Sequence, residues 1–307
     1  AAPTTAAAAA TATRPAATPT VAAKSKGKVT LVNSAEPGSM DAVLQGYAVE
    51  NRWVYPNMVE FLTFRNSKTN AVEGELATKW EQVKPDTWRY TLRKDVKFHN
   101  GEPFNADAVV YSLNRAGNKE LASKVQSEWP AGGTAAKVDD FTVDVTSAGP
   151  DPVQPLRMQF PPVVAPKWAK ENPEEVPIKL IGTGPYKLVE WNKGQFIKLT
   201  AVDDYWGGAP NIKDATLLWR GETAVRTAMV KTGEADWAYN IAPEDTKNVP
   251  KYSAVSATEI MSVRLDDQNA VLKDKRVRLA MNLAVDKDNI INKLLSGFVE
   301  PAKGQIL

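Results

Sequence analysis

The block TWRYTLRKDVKFHNGEPFNADAVVYSLNR, residues 87–115, constrains the fold more tightly than any other part of the chain. Trp88, Tyr90 and Leu92 alternate with Arg89, Thr91 and Arg93, the period of two that a strand needs when one face lies in a core and the other in water. Asn100 and Gly101 then supply a turn. Asn105 stands at an N-cap position, Asp107 follows in the first turn, and Ala106, Val109 and Leu113 line one helical stripe. The block predicts strand, turn and capped helix.

The same patterns recur along the chain. KVTLVNSAEPGSMDAV predicts a short strand that enters a loop at Glu36, Pro37 and Gly38. In RWVYPNMVEFLTFR the apolar residues Val54, Met58, Val59, Phe61 and Leu62 suit a helix packed on a sheet. Phe141, Val143 and Val145 alternate as in a strand, and GPYKLVEWNKGQFIKLTAVDDYWGG reads as two strands joined through residues 192–194. TLLWRGETAVRTAMVKTGEADWAYN reads as strand, helix, Gly233, strand, while Val277, Ala280, Met281, Ala284 and Val285 mark a helical core stripe. The class is mixed α/β, with no internal repeat.

Charge excludes some partners. In 307 residues the 38 basic and 36 acidic side chains nearly cancel, which leaves no footprint for nucleic acid and no strong attraction to an anionic membrane surface. No apolar run approaches the roughly 20 residues that cross a bilayer. The sequence holds no cysteine, so disulfides and thiolate chemistry are absent from it. Residues 1–27 are almost all Ala, Thr and Pro before turning basic, and Pro3, Pro15 and Pro19 interrupt the alanines. That composition predicts a disordered or semi-extended tether.

Candidate catalytic residues do not assemble into a motif. His99 is the single histidine and has neither a nucleophile elbow nor a second histidine to work with, so it reads as a solvated turn residue. The pairs Asp139 and Asp140, Asp203 and Asp204, and Asp266 and Asp267 are sequence neighbours, which point apart on a strand or sit in turns. GTGPY, residues 182–186, lacks the lysine of a phosphate loop and precedes a strand, which makes it a turn. Nine tryptophans exceed what a core commonly needs. Trp237, Tyr239 and Asn240 cluster at a strand end, where ligand sites of α/β folds tend to open.

Taken together, four segments resemble the extracellular solute-binding proteins of the peptide, nickel and oligosaccharide importer family. They are GELATKWEQVKPDTWRYTLRKDVKFHNGEPFNADAVVYSLNR, IGTGPYKLVEWNKGQFIKLTAVDDYWGGAPNIKDATL, KTGEADWAYNIAPED and LKDKRVRLAMNLAVDKDNII. The resemblance implies an α/β, two-lobed periplasmic-binding-protein-like fold with an extra inserted domain and, because members continue past the point matching Leu307, an incomplete second lobe. The implied partition is a tether over 1–27, a first lobe over 28–64 and 181–258, an inserted domain over 65–180, and the start of the second lobe over 259–307. The block at 87–115 then becomes scaffold and His99 a surface turn. An incomplete lobe would expose the stripe from Val277 to Val285 and favour aggregation.

The resemblance also implies a ligand site. The loop after the first strand would contribute Gly46, Tyr47 and Ala48, the segment after the Gly-Glu-x-Asp turn Trp237, Tyr239 and Asn240, and the strand opening the second lobe Met261, Ser262 and Val263. That last strand carries no aromatic residue, unlike peptide binders of the family. The implied function is a receptor, not an enzyme, that captures a small solute, an oligopeptide in the first place, in a cleft between its lobes and delivers it to an ABC permease and its ATPase subunits. No cofactor and no metal are implied, since a single histidine makes nickel the least favoured solute. The protein would act as a monomer outside the cytoplasmic membrane, touching it only through a lipid anchor. Receptors for oligosaccharides or opine-like compounds, and an extracellular carbohydrate-active hydrolase, are the alternatives.

Overall fold

The computed structural model describes residues 12–13, 26–45, 53–121, 125, 129, 132–254 and 262–302. The chain divides into two compact units, Ala1–Trp219 and Arg220–Leu307.

The first unit holds the strands β1 (Ala12–Thr13), β2 (Lys28–Asn33), β3 (Thr63–Arg65), β4 (Val72–Gly74), β5 (Ala77–Lys84), β6 (Thr87–Leu92), β7 (Thr134–Asp139), β8 (Thr142–Thr146), β9 (Tyr186–Asn192), β10 (Phe196–Ala201) and β11 (Asp214–Trp219). Its helices are α1 (Ala42–Gln45), α2 (Ala106–Ala116), α3 (Gln154–Arg157) and α4 (Pro166–Glu171). Strands β5, β6, β8 and β7 form an antiparallel sheet in that order. Helix α2 packs on β7 and β8. In a second sheet β2 lies parallel to β11, and β10 and β9 follow antiparallel. A small third sheet pairs β3 with β4, and β1 lies parallel to β4. Two residues of the expected tether thus pair with a strand.

Local rules account for the first sheet. Val143 and Val145 on β8 and Tyr90 and Leu92 on β6 are buried, as the alternation requires. The Asn105 side chain accepts a hydrogen bond from the Ala108 amide at 3.2 Å, which caps α2, and Ala106, Val109 and Leu113 are fully buried beneath it. The β9–β10 turn uses Gly194 at φ 79°. Glu36 fastens that turn by accepting from Trp191 Nε1 at 2.7 Å and from the Gly194 amide at 3.1 Å.

The second unit contains α5 (Thr223–Thr232), β12 (Trp237–Ala238), a 3-10 turn at Pro243–Asn248 and α6 (Lys275–Ala284). Gly233, at φ 78°, ends α5 in the left-handed conformation that glycine adopts freely. Asp274 caps α6 by accepting from the Arg276 amide at 2.8 Å.

Two expectations are corrected. The segment RWVYPNMVEFLTFR is not a helix: a single 3-10 turn at Tyr55–Asn57 carries Pro56, and the chain then runs extended into β3. Val54, Met58, Val59, Phe61 and Leu62 are all buried, but by neighbours on several sides, so their spacing carries no helical meaning. Phe61 and Leu62 carbonyls instead accept from the Leu76 and Ala77 amides at 2.9 Å each. Arg93, expected on a wet face, is buried, with its guanidinium carbon 3.9 Å from the ring centre of Trp206. Of the apolar stripe on α6, Met281 and, at the helix end, Val285 are exposed, the exposure expected above.

Candidate functional site

The candidate site of the second unit is built on α5 and the segment that follows it. Gly233 turns the chain back so that the Ala235 amide donates to Met229 O at 3.0 Å, and β12 then carries Trp237 toward Tyr239 and Asn240. Asn240 adopts φ 54°, a left-handed conformation that asparagine tolerates better than most residues.

Arg226 holds this turn. Its side chain projects from the buried face of α5 beside Thr227 and Met229, and the residue is 3% exposed. The guanidinium donates to four carbonyl oxygens: Arg220 at 2.6 Å, Gly221 at 2.7 Å, Tyr239 at 3.1 Å and Asn240 at 2.5 Å. Burial lowers its pKa from the ordinary arginine value, opposed by the charges of Glu222 and Asp245. Thr223 adds a second tie, accepting from the Ala242 amide at 2.9 Å and donating to Asp245 Oδ2 at 3.2 Å.

The product of this bracing is a stacked aromatic pair. The rings of Trp237 and Tyr239 lie 6.0 Å apart at an interplanar angle of 25°. Trp237 is exposed and Tyr239 half-buried, so the pair presents a flat apolar surface to solvent. Such a surface stacks on an amide plane, an aromatic side chain or a sugar face.

Of the sequence-predicted site residues, Trp237 and Tyr239 stack on one another and Asn240 follows them in the left-handed turn. Ser262 and Val263 are exposed in the same unit, Val263 at 86%. Gly46, Tyr47, Ala48 and Met261 lie outside the described residues. Arg226 was missed by sequence reading. Its signal was an arginine on the same helical face as Met229 in TAVRTAMV, where a core-facing helix normally carries an apolar residue.

The other candidate groups are tied into turns. Asp139 accepts from the Phe141 amide, Asp140 pairs with Lys137, Asp203 with Lys213, and Asp266 accepts from the Gln268 amide. His99 is scaffold, but it is half-buried and engaged instead of solvated. Its Nε2 donates to Gly184 O at 2.9 Å and its Nδ1 accepts from the Gly182 amide at 3.4 Å. Burial lowers its pKa to about 4. Among the described residues no group of three His, Asp or Glu side chains is placed to hold a metal ion, and no helix is long and apolar enough to cross a membrane.

The model of the bacterial extracellular solute-binding proteins, family 5 (middle region), matches residues 71–306. The chain belongs to this family. Among curated family 5 relatives, the glutathione-binding protein GsiB of Pectobacterium atrosepticum is 32% identical over 230 residues, which cover 72% of this chain and 44% of the relative. The dipeptide-binding protein of Escherichia coli is 29% identical over 284 residues, covering 82% and 52% respectively. The chain spans about half the length of the curated relatives it matches. Two solved structures show the fold: NikA from Brucella suis in complex with Fe(III)-EDTA, and the oligopeptide-binding protein AppA from Bacillus subtilis in complex with a nonapeptide. NikA has a TM-score of 0.79 at 24% identity, over 92% of this chain and 59% of its own. AppA has 0.76 at 23%, over 91% and 57%. The family 5 fold is therefore that of the periplasmic binding proteins, represented here over part of its length.

Proposed function

We propose that this chain is part of the solute-binding receptor of an ABC importer and that its solute is a short peptide. The observation that carries this reading is the family 5 match across residues 71–306. The peptide class is supported by two relatives named for glutathione and dipeptide binding. It is further supported by the Trp237–Tyr239 surface, which suits peptide planes and side chains. The receptor is not an enzyme: the acidic pairs serve turns, and stacking with backbone hydrogen bonds is sufficient to bind. Micromolar affinity corresponds to about 8 kcal/mol.

In this reading residues 28–64 and 181–258 form the first lobe, 65–180 the inserted domain and 259–307 the start of the second lobe. The solute favours a closed arrangement by touching both lobes, a population shift that the permease and its ATPase subunits then recognise. The receptor works outside the cytoplasmic membrane as a monomer, with residues 1–27 as a tether to a lipid anchor. Calorimetric titration of the purified protein with glutathione and with alanyl-alanine tests the solute class. Binding of either with loss on Trp237→Ala supports the proposal. Binding of neither peptide, with retention of a sugar–amino acid conjugate in native mass spectrometry, would replace the peptide with an opine-like solute.

A further inference from the structure

Strand β4 lies between β3 and β1, and its two edges are closed by different parts of the chain. At the two ends of the β3–β4 pairing the Asn66 amide donates to Ala71 O at 2.9 Å and the Glu75 amide to Leu62 O at 3.1 Å. Backbone groups alternate in direction along a strand, so Ala71, Glu73 and Glu75 turn theirs toward β3, and Val72 and Gly74 turn theirs to the opposite edge. Gly74 is buried, and a buried backbone amide needs a partner.

Strand β1 lies along that edge. It runs parallel to β4, with Ala12 opposite Glu73 and Thr13 opposite Gly74. In a parallel pair a residue bonds to the two neighbours of the one it faces, so this register aims the Ala12 amide at the Val72 carbonyl and the Ala12 carbonyl at the Gly74 amide. Those are the groups that β3 leaves over.

We propose that the outer edge of β4 is a latch for the N-terminal segment: residues 12–13 dock on it as a strand, and docking and release set how far the folded body reaches from its tether. The tether role of residues 1–27 belongs to the receptor reading above, on which the reach rests. Residues 14–27 connect β1 to β2, and fully extended they span at most about 50 Å. Docking takes that length out of the reach and release adds it. Two residues of pairing make few hydrogen bonds, so the latch opens without unfolding the sheet behind it. Docked, it also covers an open strand edge, the feature through which copies of a chain add to one another.

The test compares wild type with Ala12→Pro, which removes the amide aimed at Val72, and with a deletion of residues 1–20. Amide exchange is followed at Gly74 by NMR, with β6 and β10 as references. Both variants are expected to raise Gly74 exchange about tenfold or more while the references stay unchanged. Because the chain holds no cysteine, Ala10→Cys takes a single spin label. The label should broaden the amides of residues 72–74 and lose that effect when Ala12→Pro is added. Gly74 exchange unchanged in both variants, or equal broadening with and without Ala12→Pro, overturns the latch. A rise in exchange shared by the reference strands overturns it too, since it marks loss of the whole fold instead of one edge. No solute enters either measurement, so the latch and the peptide assignment stand or fall separately.

Discussion

The Tyr205 hydroxyl donates to Oε1 of Glu60 at 2.5 Å across 145 residues of sequence, and Trp206 Nε1 donates to the other oxygen at 2.9 Å. Glu60 is buried at 1% exposure, and Arg93, stacked on Trp206, donates to Glu75 O at 2.7 Å. Both hydrogen bonds end on one buried carboxyl group, so the two donors share a single side chain as acceptor. Glu60→Ala strips two buried donors of that acceptor and is expected to cost about 3 kcal/mol in urea unfolding. Glu60→Gln keeps one carbonyl acceptor and should cost less.

His99 gives the stability a defined pH dependence. Its folded pKa, lowered to about 4 from 6.5, means that between those values the unfolded chain binds a proton that the folded chain refuses. Its contribution is therefore complete above pH 6.5 and is lost as pH falls toward 4, at about 1.4 kcal/mol per pH unit. Urea midpoints measured from pH 7 to 4 should fall more steeply in wild type than in His99→Gln. Identical slopes would rule the histidine out as the source.

Gly182 has no room for a side chain. A Cβ there would lie 2.1 Å from Met58 O and 2.8 Å from Val59 Cγ1. Gly182→Ala is expected to destabilise by about 2 kcal/mol or more, because the obstacle is backbone and cannot swing away. Gly149→Ala, where the same atom meets open space, should stay within about 0.5 kcal/mol. Equal thermal midpoints for the two variants would refute the packing argument.

Arg226 should control the aromatic pair without touching it. Arg226→Met leaves the carbonyls of Tyr239 and Asn240 without this donor and is expected to abolish the coupled circular-dichroism signal of the Trp237–Tyr239 stack. Trp237→Phe should weaken that signal with unfolding free energy changed by less than about 0.5 kcal/mol, since Trp237 is exposed. A full signal in Arg226→Met would show that β12 holds the rings unaided.

Leu283 is 76% exposed on α6, with Leu279 and Met281 also facing outward. Leu283→Glu is expected to lower binding of an apolar dye and slow aggregation at high protein concentration, with unfolding free energy changed by less than about 0.5 kcal/mol. A large loss of stability would mean that this side chain is covered in solution.

The sequence by itself determined whatever depends on near neighbours. The alternation of Trp88, Tyr90 and Leu92, the Asn105 cap, the Gly194 turn and the Gly233 stop could each be read within a few residues, since backbone sterics and capping act locally. The family was legible too, in motifs carried by that same scaffold. Of the site, only the Trp237, Tyr239, Asn240 cluster was visible, because it is contiguous. Tertiary structure alone decided the rest. Val54, Met58, Val59, Phe61 and Leu62 are apolar at helical spacing, yet neighbours bury them from several sides, and the carbonyls of Phe61 and Leu62 accept from the amides of residues 75–77 instead of from a helix. Arg93 reads as a wet strand position and becomes buried because Trp206 arrives over it. His99 meets Gly182 and Gly184, Glu60 meets Tyr205, and Asp41 meets Arg115 only once the chain has closed loops of 74 residues or more. No local pattern marks such pairs, because the desolvation that makes each one necessary exists only after the distant partner has arrived.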